Sequence, residues 1–309
     1  MKQTTRHIMM IRPAHFGYNK ETAGNNAFQK QDDSQSPAEI QKLALREFDG
    51  LVGKLVDHGI LVTVLDDSDE PPKPDAVFPN NWISTHSNGI VITYSMFAPI
   101  RRLERRPQLV DQLLEAFEAQ ATFDFSHYED EDRFLEGTGS MIFDREYQIV
   151  YACHSPRTDP GILDQFCKLT NTRKTLFRAV DERGQDIYHT NVMMAMGARF
   201  VVICLDSVAD ARERALLLHQ FERTEKEVIE ISFEQMYAFA GNMLQVASTS
   251  GETYLVMSET AYRSLEPRQI RQIENYSHIL YSPIPTIEKY GGGSVRCMMA
   301  EIFLEPRRG

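Results

Sequence analysis

Three short glycine-flanked segments hold the residue types that could do covalent chemistry in this chain. The first is Gly291-Gly292-Gly293-Ser294-Val295-Arg296-Cys297, which puts a cysteine directly behind a glycine run. Glycines let the backbone take positive φ and come close to a ligand with no Cβ in the way. The apolar stretch Val295–Ile302 then reads as a buried strand with the thiol at its mouth. Such a cysteine is placed to be a nucleophile if a base or acid lies within hydrogen-bond reach and a third group orients it. Histidine titrates near working pH. Of nine histidines, His189 in Ile187-Tyr188-His189-Thr190-Asn191 stands at the entry to an apolar strand, Val192–Met196. Glu136, in Phe134-Leu135-Glu136-Gly137-Thr138-Gly139, is the candidate acidic partner. Each also has an ordinary reading: a tight turn with a buried structural thiol, a half-buried polar residue at a strand end, and an acid on a surface loop.

The elements that must position these groups alternate regularly. Five amphipathic helices follow from the 3.6-residue apolar period. The first presents Ile40, Leu43, Ala44, Phe48, Leu51, Val52, Leu55 and Val56 on one face, with Ser36-Pro37 as cap and first turn and Gly59 as stop. The second runs from about Leu103 with Leu109, Val110, Leu113, Leu114 and Phe117, and the third, after Thr158-Asp159-Pro160, uses Ile162, Leu163, Phe166 and Cys167. The fourth begins near Ser207 and presents Val208, Ala211, Ala215 and Leu218; the fifth, after Glu266-Pro267, buries Ile270 and Ile273. Short runs rich in β-branched and aromatic residues lie between them, among them His7–Ile11, Leu61–Leu65, Gln148–Ala152, Arg199–Cys204 and Tyr254–Met257. The pattern is a strand-strand-helix-strand unit used five times, which predicts a closed repeat architecture rather than an open sheet. No Ser/Gly/Pro-rich linker divides the chain, so a single domain over 1–309 is expected. A doubly wound dinucleotide fold is disfavoured, because no G-x-G-x-x-G follows an early strand.

The order of the motifs resembles the guanidino-group-modifying enzyme superfamily of arginine deiminases, dimethylarginine dimethylaminohydrolases and amidinotransferases. The residues that carry the resemblance are Pro74-Asp75-Ala76-Val77-Phe78-Pro79-Asn80-Asn81-Trp82, the Glu136 segment, Tyr188-His189-Thr190-Asn191 and the Cys297 segment. With Met10-Ile11-Arg12-Pro13 and the asparagine pair, the chain is most similar to the citrulline-utilising hydrolase branch. The resemblance implies a pentein fold, a five-bladed α/β propeller around a central active site. It implies Cys297 as nucleophile, His189 as general acid and base, and Glu136 as the group that polarises His189. Asp75 would hydrogen-bond the planar head of the substrate, and Asn80 and Asn81 would meet its α-amino group. Arg101 or Arg102, with Arg157, would grip its α-carboxylate, a job suited to a bidentate guanidinium. Asn191 stands where arginine deiminases carry a second acid. A neutral amide there can both donate to and accept from a ureido group, which favours citrulline, cleaved to ornithine, ammonia and carbon dioxide through an S-carbamoyl enzyme. A dimethylarginine hydrolase or arginine deiminase is the alternative, an amidinotransferase a remoter one, and a non-catalytic propeller binding module another class.

The bulk composition bounds the partners. A net charge of −11 argues against nucleic acid or an anionic membrane, and 42% hydrophobic with 25% charged residues is the balance of a soluble globular protein. No apolar run is of membrane-spanning length, and the first residues lack the apolar core of a secretion signal. Cys153, Cys167, Cys204 and Cys297 have no Cys-x-x-Cys spacing, as expected of reduced thiols in a cytoplasmic protein. No spacing supports zinc at His127, His154 and His189; no metal and no cofactor is expected. The partner is expected to be a small amino-acid substrate, with homo-oligomerisation open. The polar stretch from Phe16 to Gln29 reads either as a surface loop or as a lid.

Overall fold

The computed structural model describes residues 2–22, 24, 26, 28–32 and 34–307. It is a mixed α/β structure built from five three-stranded sheets of one pattern. In each, the middle strand runs antiparallel to one neighbour and parallel to the other, and a helical crossover joins the parallel pair. In chain order the parallel pairs are His7–Arg12 with Leu61–Asp66, Ile90–Thr93 with Ala121–Asp124, Ile149–Cys153 with Arg173–Phe177, Phe200–Ile203 with Glu227–Glu230, and Thr253–Ser258 with His278–Ser282. The antiparallel partners of the last four are Ile83–Thr85, Ile142–Asp144, Met194–Met196 and Leu244–Ala247. The first sheet takes its antiparallel strand, Ala300–Ile302, from the far end of the chain, with His7 opposite Ile302. The segment following Cys297 is thereby tied to the N-terminal unit. The sheets stay separate, with no strand pairing between them among the described residues. Their antiparallel strands nevertheless touch: Ala300–Ile302 lies against Ile83–Thr85, and Met194–Met196 against both Ile142–Asp144 and Leu244–Ala247.

The crossover helices form where local chemistry asks for them. Helix Pro37–Asp57 opens on a capping box, in which the Ser36 hydroxyl accepts from the Glu39 N–H while Glu39 accepts from the Ser36 N–H. Its buried stripe is Ile40, Ala44, Phe48, Leu51 and Leu55. Helix Pro160–Thr170 is capped by Asp159, which accepts from the Ile162 N–H, and stops at Asn171 in the left-handed region.

Several sequence expectations are corrected. The fourth helix is Ala211–Arg223, capped by Asp210, and buries Leu217 and Phe221; Ala211, Ala215 and Leu218 lie outward. Asp210 accepts two backbone N–H groups, which fixes the start at Ala211, four residues after Ser207. The second crossover is broken into Pro99–Arg102 and Pro107–Ala116, since each proline opens a new helical turn. Val295–Met298 is a turn and only Ala300–Ile302 is strand; Val192 and Met193 belong to a helical turn, Thr190–Met193, before the strand Met194–Met196. Among the described residues no helix is long and apolar enough to cross a membrane.

Candidate active site

The turn immediately before the antiparallel strand of each unit supplies the site. These turns are Pro79–Asn81, Gly137–Ser140, Thr190–Met193, the segment around Gly241-Asn242, and Ser294–Met298. They pack backbone against backbone. Gly137 has φ +42°, and a Cβ there would sit 2.9 Å from the Asn81 carbonyl oxygen, so only glycine fits. The glycine run divides its labour: Gly292 takes φ +64° to end helix Pro285–Gly291, whereas Gly291 and Gly293 clear the Phe78 ring, which a Cβ would approach to 2.7 and 2.9 Å.

A small cavity lies between these turns, lined by Asp75, Phe78, Asn81, Arg101, Arg157, Tyr188, His189, Gly291–Gly293 and Cys297, and by Thr22 and Asn26. At one wall His189 Nε2 and Glu136 Oε2 are 2.7 Å apart, and Arg157 Nη1 donates to the same oxygen at 3.3 Å. Glu136 Oε1 accepts from the Phe97 N–H at 2.8 Å. Burial would raise the Glu136 pKa, but Arg157, the His189 hydrogen bond and Arg101 outweigh it and hold the carboxylate ionised. Burial pushes the His189 pKa down, and Glu136 restores only part of the shift. The resting pair is a neutral imidazole on an ionised carboxylate.

Cys297 is buried, and its Sγ meets two side-chain amides: Asn191 Nδ2 at 3.4 Å and Asn242 Nδ2 at 3.3 Å. Asn191 is therefore beside the sulfur, while its Oδ1 has no hydrogen-bond partner among the described residues.

At the opposite wall Asp75 Oδ2 accepts from Asn19 Nδ2 at 2.7 Å and lies 3.8 Å from Arg101 Nε. Its Oδ1 is buried without a partner among the described residues. Burial raises the Asp75 pKa, opposed by Arg101, Asn19 and Arg157. Arg101, not Arg102, faces the cavity. Its fork is already filled: Nε and Nη2 hold Glu104 at 2.8 and 2.9 Å, Nη1 donates to Asn81 Oδ1 at 2.8 Å, and Nη2 also reaches the Phe78 carbonyl. Burial pushes the Glu104 pKa up to about 7 against the pull of Arg101. Arg102 turns away, donating to the Met96 carbonyl and lying near Glu129. Asn80 does not line the cavity, and neither side-chain polar atom has a partner among the described residues; Asn81 Nδ2 likewise lacks one.

The sequence reading missed Asn242, Glu104, Asn19, Phe78 and Tyr188. No motif marks Asn242, but its place in the repeat does: it stands just before Leu244–Ala247, as Asn81 stands before Ile83–Thr85. The segment Phe16–Gln29 folds over the cavity in its described residues; Ala23, Asn25 and Ala27 lie outside them. Asn19, Thr22, Asn26 and Gln29 are buried, and Asn26 Nδ2 donates to the Gly291 carbonyl at 3.4 Å. Cys153, Cys204 and Cys167 are free thiols away from the cavity. Among the described residues no three His, Cys, Asp or Glu side chains are grouped to hold a metal.

A chain of this build, with its cysteine on the last turn and a histidine–glutamate pair across the cavity, is a guanidino-group-modifying enzyme. More narrowly, residues 12–304 match the family described as N,N dimethylarginine dimethylhydrolase, eukaryotic. The chain belongs to that family. No curated protein matches it. Among solved structures it is similar to apo ArgZ, an arginine dihydrolase from the ornithine-ammonia cycle in cyanobacteria, with a TM-score of 0.72 and 16% identity over 98% of this chain and 41% of that one. The N-terminal domain of ArgZ bound to substrate gives 0.74 and 16% over 97% of this chain and 98% of that one. A dimethylarginine dimethylaminohydrolase adduct with S-methyl-L-thiocitrulline gives 0.66 and 15% over 97% and 100%. The chain thus spans 41% of full-length ArgZ. At these identities the likeness is one of fold.

Proposed function

We propose that this chain is a cysteine-dependent hydrolase of a free amino acid ending in a guanidino or ureido group. In this reading residues 1–309 form one domain, a cytoplasmic enzyme whose five units are the blades of a propeller around the cavity. The observation that carries it is the convergence of Cys297, His189 with Glu136, and Asp75 on one cavity. Cys297 Sγ attacks the central carbon of the planar head group. His189 Nε2 is committed to Glu136, which leaves Nδ1 as the ring nitrogen for proton transfer. It takes the thiol proton, becomes an imidazolium balanced by Glu136, and protonates the departing amine. Water, deprotonated by His189, then cleaves the carbon–sulfur bond. Asp75 Oδ1 receives an N–H of the head group and so gains the partner it lacks. Arg157 and the one remaining N–H of Arg101 serve the α-carboxylate.

Two classes of substrate, ureido and guanidino, fit this chemistry. Citrulline is favoured by Asn191, whose Oδ1 is open while its Nδ2 holds the sulfur. Attack on the ureido carbon releases ornithine and leaves an S-carbamoyl enzyme, which water converts to carbamate and then ammonia and carbon dioxide. Dimethylarginine or arginine is favoured by family membership and by Asp75, an ionisable group that a guanidinium would hold charged. There the amine leaves first and citrulline is the final product. The deciding experiment supplies L-citrulline, L-arginine and dimethylarginine separately to the purified enzyme. Ornithine from citrulline supports the ureido reading, citrulline from a guanidine supports the second, and no product from any of the three rejects both.

A further inference from the structure

The sulfur of Cys297 rests against a side chain that no motif marks. Asn242 is buried, and both ends of its amide reach the thiol: Nδ2 lies 3.3 Å and Oδ1 3.6 Å from Sγ. The amide is fixed in this orientation by two backbone groups. Its Nδ2 also donates to the Asn191 carbonyl at 3.0 Å, and its Oδ1 accepts from the Arg296 N–H at 3.1 Å. A flipped amide would face carbonyl with carbonyl and N–H with N–H, so these partners exclude the other orientation. The turn that carries it has no freedom to withdraw. Gly241 lies so close to the neighbouring turn that a Cβ would meet the carbonyl carbons of Val192 and Met193 at 2.8 and 2.9 Å. The Asn242 N–H closes the turn onto the Phe239 carbonyl at 2.9 Å.

We propose that Asn242 is a catalytic residue that holds the Cys297 sulfur in both of its protonation states. Its Oδ1 accepts the S–H of the resting thiol, and its Nδ2, together with Asn191 Nδ2, donates to the thiolate. Once the proton moves to His189, the sulfur keeps two hydrogen-bond donors without moving. The same two donors receive the thiolate again when the carbon–sulfur bond breaks in the hydrolytic half. A neutral pair of donors suits either head group, because the thiolate then needs no cationic substrate to be stabilised. Hydrogen bonds to the charged form of a group favour that form. Loss of one charge-assisted bond is worth roughly a tenfold change in the thiolate population or more.

The inference rests on Cys297 being the nucleophile, and one experiment separates the two. Iodoacetamide alkylation of Cys297 is followed by peptide mass spectrometry at neutral pH in the wild type, Asn242→Ala and Asn242→Asp, beside kcat, KM and thermal unfolding. Asn242→Asp keeps the shape and an acceptor for the Arg296 N–H but replaces the donor at sulfur with a carboxylate oxygen. In both variants alkylation and kcat are expected to fall about tenfold or more, with KM little changed. Asn242→Asp sets a buried carboxylate oxygen against the Asn191 carbonyl and is expected to unfold earlier than wild type. Asn242→Ala brings no charge into the turn, and a cooperative unfolding transition with unchanged KM in that variant shows that misfolding does not account for the loss. Alkylation of either variant at the wild-type rate, or a rise in KM with kcat unchanged, would overturn the role of Asn242. If wild-type Cys297 reacts no faster than half-exposed Cys167, the nucleophile assignment falls and this inference with it.

Discussion

Replacing Gly139 by alanine tests the geometry of the catalytic pair with a single methyl group. Gly139 has no positive φ, so the backbone accepts alanine and the perturbation is one of space alone. A Cβ there would stand 2.8 Å from both Cε1 and Nδ1 of the His189 ring and would crowd Asn81 Nδ2. Ordinary contact begins near 3.4 Å, so the ring must recede by about 0.6 Å. It has little room to do so: Nε2 is held by Glu136 at 2.7 Å, and the Tyr188 ring lies 4.9 Å from its centroid. An ångström of misplacement at a reacting group costs on the order of a hundredfold in rate, so a shift of this size should lower kcat by roughly ten- to a hundredfold. Overpacking should cost about 1–3 kcal/mol of stability. The assay is steady-state turnover on the substrate identified among the three above, with thermal unfolding and Cys297 alkylation in parallel. The methyl displaces the ring nitrogen that takes the Cys297 proton, so alkylation should fall together with turnover. A folded Gly139→Ala protein with wild-type kcat would refute the reasoning, since His189 Nδ1 would then not be the group that moves protons.

Further outcomes follow from the same contacts. Cys297→Ala should retain substrate binding by calorimetry and lose turnover; residual turnover at the wild-type rate would remove the covalent step. Glu136→Gln should lower kcat about a hundredfold and destabilise the fold by about 3 kcal/mol, because it leaves the buried Arg157 guanidinium without its carboxylate partner; chemical denaturation and turnover measure both. Two buried groups should tilt stability with pH in opposite directions. His189 has a lowered folded pKa, so the unfolded chain binds more protons, and wild type should gain stability over His189→Asn as pH rises from about 4 toward the unfolded value near 6.5. Glu104 has a raised folded pKa, so wild type should lose stability relative to Glu104→Gln as pH rises from about 4.3 to about 7. Denaturation at four or five pH values separates the signs, and equal slopes for the two variants would reject them.

Much of this was legible in the chain because it is written in local chemistry. The capping box at Ser36 and Glu39, the aspartate before Pro160 and the apolar stripe of the first helix each act within one or two turns, and the structure follows them. What was not legible depends on partners far apart in sequence. The choice between Arg101 and Arg102 turns on Glu104, Asn81 and Phe78, which capture one guanidinium, while the Met96 carbonyl and Glu129 capture the other. Asn242 is marked in the chain only by its place before the strand Leu244–Ala247, since its contacts arise when the fourth turn docks on the third and the fifth on the fourth. The fourth helix differs for a local reason: the Ser207 hydroxyl is spent on the Cys204 carbonyl, whereas Asp210 caps the Arg212 and Glu213 N–H groups, and the face that packs inward carries Leu217 and Phe221.

The repeated turn explains why so few charges are needed around the sulfur. The charged side chains at the cavity are paired with one another: Glu136 with Arg157, Glu104 with Arg101, and Asp75 with Asn19 and the edge of Arg101. Each pair is buried, so removing one member leaves an uncompensated charge, whereas the pair as a whole imposes little net field on a ligand. The groups that remain to act directly are one open carboxylate oxygen on Asp75, one imidazole and two amides at Cys297. An imidazole and two amides can accompany a proton as it leaves sulfur for nitrogen without either end being stranded. The carboxylate oxygen is then the element that discriminates between head groups. It can accept from a neutral ureido N–H or from a guanidinium; either hydrogen bond lowers its raised pKa, and the cation lowers it further through its charge. Substrate charge should therefore be read at Asp75 rather than at the nucleophile, which separates the question of what is bound from the question of how it is cleaved.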